Sequence, residues 1–282
     1  MRNPHRTQKI AFFLLLLATL LIVVPVGLIV VIIIQKGLPG ISWQFLSDIP
    51  RQGMRAGGIF PAIVGTVYLV TGAIVFALPI GLLAAIYLSE YSKDNFLTRL
   101  IKLAIVNLAG VPSVVYGLFG LALFVVFFKL GASILAGSLT LGIMILPIII
   151  TSSREALESV PYTFREVSLS LGASKWQTIR HIVLPNAIPG VLTGTILGLG
   201  RAAGETAPIL FTVAAFYLPF LPKSVFDQAM ALPYHLYVIS TQVPNVDEKI
   251  RYGTAFVLLA LVLFMNLVAI IIRYQFRKKK KW

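Results

Sequence analysis

Residues 190–216 read GVLTGTILGLGRAAGETAPILFTVAAF, and this stretch decides how the rest of the chain is interpreted. It is long and apolar enough to cross a bilayer, and we predict that it forms one glycine-rich helix. Arg201 and Glu205 lie near its middle, and their spacing would place both side chains on one helical face. An ionisable pair at mid-membrane depth is costly and is therefore a candidate functional site. The alternative is a self-neutralising pair that only locks helix packing.

The composition indicates an all-α membrane protein. Of the 282 residues, 58% are hydrophobic and 12% are charged, and the mean hydropathy is +0.91. Soluble domains carry about a quarter charged residues. Six apolar runs are long enough, at about 20 residues, to cross roughly 30 Å of hydrocarbon. We predict six transmembrane helices at residues 10–34, 59–88, 100–128, 134–150, 190–216 and 253–272, with a break in the third at residues 110–113.

The distribution of basic residues predicts that both termini lie in the cytoplasm. Sixteen Lys and Arg residues fall on the side that holds the termini, and seven fall on the other side. The net charge of +14 does not indicate nucleic-acid binding, because the basic residues cluster at the ends of apolar runs. The lysines at 278–281 predict contact with membrane lipid. The first run is too long for a signal-peptide core, and we expect it to be retained.

Several kinds of chemistry are not indicated. The chain contains no cysteine, so disulfides and thiolate metal sites are excluded. It lacks the H-E-x-x-H and P-loop patterns, and we predict neither a metal site nor an enzymatic activity on this chain.

Residues 152–185 form the longest predicted cytoplasmic segment. The sequence TFRE from Thr163 fits a capping box, and Gly172 is placed to end the helix that follows. Ser174 is a candidate cap for a second helix, which we expect Leu184-Pro185 to end. Two short amphipathic helices at roughly a right angle would suit docking of another protein. In the alternative, their apolar faces lie on the membrane or pack on the inner helix ends.

The second external loop, residues 218–252, contains four prolines. Between them, residues 224–240 are predicted to form a short amphipathic helix on the membrane surface. His235 in this loop has no other candidate metal ligands near it in the sequence and is interpreted as a packing or surface residue.

The cytoplasmic segment resembles the EAA loop of ATP-binding-cassette importer permeases. The resemblance is carried by Glu166, Ser168, Gly172 and the Ile-x-Leu-Pro sequence at 182–185, whereas Val167 departs from the usual alanine. It implies a coupling helix that seats in a cleft of a cytoplasmic ATPase. The residues to which it assigns this role are Thr163, Phe164, Glu166, Ser168, Gly172, Ala173 and Trp176.

The sequence RAAGETAPILFT at 201–212 resembles the signature of phosphate importer permeases, and Thr-Ala-Pro after Glu205 favours the PstA-type subunit. Further matches lie at 57–66, 111–119 and 232–237.

The resemblance implies the type I importer permease (MetI-like) fold in the inner, cytoplasmic membrane. It implies as partners a PstC-type permease, two copies of the ATPase and a periplasmic or extracellular phosphate-binding protein. ATP and Mg²⁺ would be bound by the ATPase, with no cofactor on this chain.

The candidate pathway for inorganic phosphate is lined by Arg201, Glu205, Thr206, Ser113 and Tyr116. A guanidinium is always charged and matches phosphate oxygens in a bidentate fork. The Ser113 hydroxyl could instead bond back to its own helix. Gly190, Gly194, Gly198 and Ala202 form a row of small residues, which favours close helix packing over ligand contact.

These predictions divide the chain into three parts. Residues 1–58 hold the N-terminal tail, the first helix and an external loop. Residues 59–274 form the permease core with the coupling segment 152–185, and residues 275–282 form a basic tail. Two other functions stay open, an ion-coupled secondary anion carrier and a structural assembly factor, and another oxyanion could replace phosphate.

Overall fold

The computed structural model describes residues 4–278, and within them the chain is almost entirely helical. The first six helices are α1 (Pro4–Gly37), α2 (Trp43–Ser47), α3 (Phe60–Ile86), α4 (Phe96–Ala109), α5 (Ser113–Gly120) and α6 (Ile134–Glu158). The next six are α7 (Tyr162–Ser170), α8 (Lys175–Thr178), α9 (Leu184–Gly204), α10 (Ala207–Thr212), α11 (Leu232–Thr241) and α12 (Glu248–Lys278). Strands β1 (Pro50–Arg51) and β2 (Ala56–Gly57) pair antiparallel. The 3₁₀ turns are Leu38–Gly40 and Gln52–Met54, and the π-helical turns are Tyr87–Tyr91, Leu121–Phe127 and Ile179–Val183.

The described residues contain the six predicted membrane spans. Five helical segments are long and apolar enough to cross a bilayer: Ala11–Gly40, Phe60–Tyr91, Ile134–Glu158, Lys175–Gly204 and Glu248–Lys278. The pair α4 and α5, whose axes differ by 103° across the predicted break, completes the predicted six when it is counted as one span. With that count, both ends of the described chain return to one side, as the charge distribution predicts. The lysines at 279–281 lie outside the described residues.

Helices α3, α6 and α9 form the packed centre of the bundle, with α12 against α9 and α1 on the outside against α12. The row of small residues explains how α9 approaches α6. A Cβ atom at Gly194 would lie 2.5 Å from Ser152 Cβ, and one at Gly190 would collide with Ala156. Ala202, at the end of the row, is buried. The packing interpretation of this row is therefore confirmed for Gly190 and Gly194.

The prediction of one unbroken helix over 190–216 is wrong. Helix α9 ends at Gly204, Glu205 is extended with φ −79° and ψ 134°, and α10 begins at Ala207. Pro208 explains the break, because a proline inside a helix lacks the N–H donor and its ring collides with the carbonyl group four residues earlier. In this chain that carbonyl belongs to Gly204, the last residue of α9.

The predicted end of the second cytoplasmic helix at Leu184-Pro185 is also wrong. The chain continues as one helical segment from α8 through the π-helical turn Ile179–Val183 into α9. In this turn the N–H of Leu184 donates to the carbonyl of Ile179, five residues earlier. This wider hydrogen-bonding ring shifts the bonding pattern, so that Pro185 falls in the first turn of α9. The N–H group that proline lacks is not needed there, because the first turn of a helix has no helical acceptors for its donors. The predicted fourth span is likewise too short, since α6 continues to Glu158.

The predicted surface helix at 224–240 is wrong in both extent and position. Only Leu232–Thr241 is helical, and this helix, α11, packs against α3 and α12. Its N-terminus is anchored where the backbone N–H of Leu232 donates to Thr66 Oγ1 at 2.8 Å. Tyr234, His235, Val238 and Ile239 are buried in the protein, so an apolar face that could bind lipid instead joins the core.

His235 gives a testable dependence of stability on pH. It lies outside the candidate spans, is 3% exposed, and burial lowers its pKa from 6.5 to about 4. Between these values the unfolded chain binds a proton that the folded chain does not, so the free energy of unfolding falls as the pH drops. We expect His235→Gln to flatten the pH dependence of the thermal unfolding temperature between pH 6.5 and about 4.

The exposed His181 supplies the matched control. His181→Gln makes the same substitution at an exposed imidazole, and its effect on that pH dependence should be smaller than the effect of His235→Gln. An equal effect of the two substitutions on thermal unfolding would contradict the assignment to His235.

Candidate functional site

The first candidate site is the charged break, which we define as Arg201, Glu205 and Thr206. Arg201 Nε lies 3.6 Å from Glu205 Oε1, and the two side chains are 32% and 19% exposed. Their pairing survives the end of α9 although Glu205 is no longer helical. Non-helical backbone at membrane depth is tolerated only where protein buries it or where it lines a water-filled cavity. The break therefore combines an ion pair with backbone that must be enclosed.

Helix α10, directly after the break, packs against α5. A Cβ atom at Gly117 would lie 2.9 Å from the carbonyl oxygen of Ala207, so only glycine allows this approach. The structure thus brings α5 and α10 together, and the shared pathway at this contact stays a prediction. Ser113 and Thr206 are both half-buried near this contact.

Tyr116 has a structural partner in this region. It is 4% exposed, and its hydroxyl donates to the carbonyl oxygen of Leu108 at 2.7 Å. Leu108 belongs to α4, so this bond braces the 103° bend between α4 and α5. A pathway role for Tyr116 would require it to exchange this partner.

Asn266 on α12 adds an uncharged polar group beside the charged break. Its amide nitrogen would lie 3.5 Å from a Cβ atom at Gly200, the residue before Arg201. Its Oδ1 is buried and has no hydrogen-bond partner among the described residues. Buried amide oxygens are normally paired, and this one has no such bond within the described residues.

The second candidate site is the arm, which we define as α7, α8 and the turn between them, residues 162–178. The predicted capping box at Thr163 is wrong, because α7 begins one residue earlier at Tyr162, with Pro161 as N-cap and no side-chain cap. The fixed φ of a proline suits this helix start without a capping hydroxyl. Thr163 and Glu166 are exposed on the arm.

The turn of the arm forms as the sequence predicts. Gly172 has φ +84°, the N–H of Gly172 donates to Leu169, and the N–H of Ala173 donates to Ser168. This is the Schellman pattern that ends a helix with a glycine. The next helix starts with a complete capping box between Ser174 and Gln177. A hydrogen bond of 2.9 Å between the Ser168 and Thr178 hydroxyls then holds the two helices together.

The two helices of the arm differ in how their apolar residues are covered. Ile179 and Val183, which continue the face of α8, are buried, and Trp176 is 49% exposed. On α7 and its turn, the apolar side chains point away from the rest of the chain: Tyr162, Val167 and Leu171 are 67%, 59% and 83% exposed. The alternative in which α7 packs its apolar face on the inner helix ends does not hold for these residues.

Sequence reasoning missed an ion pair at the base of the arm. Arg165 Nη2 lies 2.6 Å from Glu90 Oε1, and the side chains are 11% and 8% exposed. Glu90 belongs to the π-helical turn that continues α3. The available signals were Glu90, an acid just after an apolar span, and Arg165, which precedes Glu166 of the EAA loop. They are 75 residues apart, so the sequence did not indicate that they pair.

No cluster of three or more metal-ligating side chains occurs among residues 4–278. The absence of a cofactor on this chain stays a prediction.

These features together define a multi-pass helical membrane protein whose spans are interrupted at charged or proline-containing positions and which extends an arm beyond the bundle. The chain belongs to the family described as "Binding-protein-dependent transport system inner membrane component", whose sequence model matches residues 77–282.

Curated relatives cover most of the chain. It is 34% identical to "Probable ABC transporter permease protein YqgI" of Bacillus subtilis (strain 168) over 86% of this chain and 87% of that protein. It is 36% identical to "Phosphate transport system permease protein PstA 1" of Mycobacterium tuberculosis (strain H37Rv), over 80% of this chain and 73% of that protein. It is 33% identical to the PstA protein of Xylella fastidiosa (strain Temecula1), over 84% and 82%.

Solved structures with low sequence identity share the fold. A chain of the MetNI methionine ABC transporter in an inward-facing conformation superimposes with a TM-score of 0.59 at 17% identity, covering 78% of this chain and 94% of that chain. A chain of a bacterial alginate ABC transporter, solved with an alginate-bound periplasmic protein, superimposes with a TM-score of 0.62 at 15% identity, covering 99% and 95%. The chain therefore has the type I ABC importer permease (MetI-like) fold.

The turn of the arm gives a second prediction. Nothing lies within 4 Å of a Cβ atom built at Gly172, so a substitution there acts only through the positive φ. Gly172→Val should destabilise the turn by about 1–2 kcal/mol, because a side chain with Cβ disfavours this conformation. Hydrogen exchange at residues 171–174 should accelerate accordingly.

Gly172→Asn is the control, since asparagine tolerates the left-handed region better. It should accelerate exchange less than Gly172→Val does. Unchanged exchange in Gly172→Val would contradict the role of this glycine.

Proposed function

We propose that this chain is the permease subunit of an ATP-driven importer for inorganic phosphate. With a homologous PstC-type permease it would form the pathway across the inner membrane. The observation that carries the proposal is the charged break, where a partly exposed Arg201 is paired with Glu205 at the point where α9 ends. An ion-coupled carrier or a structural assembly factor receives no comparable support.

The geometry of the charged break suits the passage of an anion. The separation of 3.6 Å between Arg201 Nε and Glu205 Oε1 is longer than a strong charge-assisted hydrogen bond, so Glu205 holds the guanidinium loosely. An entering phosphate can therefore displace the carboxylate and accept two parallel N–H bonds from Arg201. After phosphate leaves, Glu205 neutralises Arg201 again. Ser113, Tyr116 and Thr206 are proposed to line the same pathway.

The relatives support phosphate as the substrate, because several that are more than 30% identical over most of the chain are described as phosphate transport system permeases. The proposed partners are a PstC-type permease, two copies of a cytoplasmic ATPase and an external phosphate-binding protein. ATP and Mg²⁺ would be bound by the ATPase, and this chain would be non-catalytic and carry no cofactor.

The arm is the proposed contact with the ATPase. Its exposed apolar side chains, including Val167 and Leu171, would fill a cleft of the partner. The proposed coupling residues remain Thr163, Phe164, Glu166, Ser168, Gly172, Ala173 and Trp176. Closure of the ATPase dimer would displace the arm and switch access from the outside to the inside.

Uptake into vesicles tests the proposed function. The complete complex, reconstituted so that its ATPase faces added ATP, should accumulate phosphate in the absence of any ion gradient. Uptake that needs a gradient but not ATP would support the secondary carrier. Competition by excess sulfate would show whether another oxyanion shares the pathway.

Arg201→Lys tests the charged break. Lysine keeps the charge but loses the planar fork, and we expect phosphate uptake to fall about tenfold or more while the complex still assembles. The matched control is Arg154→Lys, because Arg154 forms an i,i+4 pair with Glu158 at 3.7 Å that lies away from the break. Full uptake by Arg201→Lys, or an equal loss in the control, would contradict a bidentate site at Arg201.

A further inference from the structure

Helix α7 contacts the inner ends of the membrane helices through residues near its start, and the turn at Gly172 joins it to α8. Helix α7 has no buried residue, and its exposed apolar side chains point away from the chain. Phe164 and Arg165 are the half-buried residues near its start, where Phe164 packs on the apolar cluster formed by the inner ends of α3, α6 and α9. A force on α7 can therefore act on the membrane helices through this base as well as through α8 and α9.

Arg165 makes a dense set of polar contacts there. Its Nε donates to both carboxylate oxygens of Glu90 at 3.2 and 3.3 Å, and its Nη2 donates to Oε1 at 2.6 Å. Its Nη1 and Nη2 also donate to the carbonyl oxygens of Val160 and Leu157, at 2.8 and 2.9 Å. One guanidinium thus joins α7 to the end of α3 and to the end of α6.

The chemistry of these partners explains why arginine occupies the position. The last carbonyl groups of a helix lack helical partners and carry partial negative charge, so α6 presents a site for a cation at its C-terminus. The Glu90 carboxylate adds a full negative charge. The guanidinium has five N–H donors in a planar fork, so it bonds the carboxylate through two nitrogens and two carbonyl oxygens at the same time, whereas the three donors of a lysine cannot reproduce this arrangement.

Through Glu90, the contacts of Arg165 connect α7 to the membrane helix α3. The π-helical turn Tyr87–Tyr91 follows α3 without interruption, and α3 packs on α6 through the centre of the bundle. A cavity of about 510 Å³ beside the pair, lined in part by Glu158, Lys175 and Thr178, gives the base of the arm room to tilt. A tilt of α7 would therefore move Glu90 and the end of α3 with it.

We infer that Arg165 and Glu90 are positioning residues that form a rigid link, through which displacement of the arm is transmitted to α3 and α6. This inference rests on the proposed function, because the displacing force is assigned to an ATPase bound at the arm. The link differs from the docking surface, since Arg165 and Glu90 are covered while the apolar face of α7 is exposed.

Glu90→Gln and Arg165→Lys in the reconstituted complex test the link. In Glu90→Gln we expect the ATPase to co-purify and basal ATP hydrolysis to stay within about twofold, while phosphate uptake and hydrolysis stimulated by the binding protein fall about tenfold. Arg165→Lys should be intermediate, because it keeps the charge and loses the fork. Asp94→Asn is the matched control, since it breaks the bidentate pair of Asp94 with Arg99, whose side chains are 71% and 72% exposed.

Normal stimulation and uptake in Glu90→Gln would overturn the inference. A wild-type complex without ATP-dependent phosphate uptake would instead overturn the proposed function, so the two failures are distinguishable.

A measurement on the native pair covers the case in which the variants do not assemble. The chain has no cysteine, so Ser170→Cys and Lys93→Cys place spin labels on the exposed end of α7 and just after the π-helical turn. If the link is rigid, the distance between the labels stays constant between the nucleotide-free and ATP-bound complex. A change of several ångströms between the two states would show that α7 moves independently of α3 and would overturn the link.

Discussion

The structure depends on one constraint: backbone polar groups inside a membrane must find partners within the protein. Helix α9 stops at Gly204 and α10 starts at Ala207, so non-helical backbone lies at the end of the candidate span Lys175–Gly204, beside Arg201. Surrounding features enclose this region. Gly117 lets α5 approach α10, and the small residues of α9 bring it against α6. Interruption and enclosure together make a polar position possible at this depth without exposing backbone to lipid.

The charged break and the arm are connected through one helical segment. From Lys175 to Gly204 the chain continues without a loop, and its irregular part is the π-helical turn Ile179–Val183. Movement at the arm can therefore reach Arg201 along α9, while the contact of Arg165 with Glu90 carries it to α3. Under the proposed function, this arrangement connects the cytoplasmic ATPase, bound at the arm, to the anion pathway at Arg201.

Local signals predicted local features well. Gly172 and Ser174 were recognisable from helix-ending and helix-capping chemistry, and the structure confirms both, because these motifs bond residues only a few positions apart.

The effects of Pro208 and Pro185 on the helices were predicted wrongly for a common reason. A proline can break a helix, occupy its first turn or be accommodated inside it, as Pro79 and Pro147 are, and the outcome depends on whether the preceding backbone can shift its hydrogen bonds. The membrane-surface helix at 224–240 failed because amphipathicity does not reveal whether lipid or protein covers the apolar face, and α11 packs in the core.

The sequence by itself determined the membrane class, the apolar segments that are candidate spans, the turn at Gly172 and the close spacing of Arg201 and Glu205. Each of these follows from hydrophobicity, charge or short-range hydrogen bonding. Only the structure decided that α9 ends between this pair, that Tyr116 braces the bend before α5, and that Arg165 joins Glu90 and the end of α6. The first two depend on which of several local backbone arrangements the chain adopts. The third depends on groups 75 residues apart meeting in space, where a buried charge must find a partner.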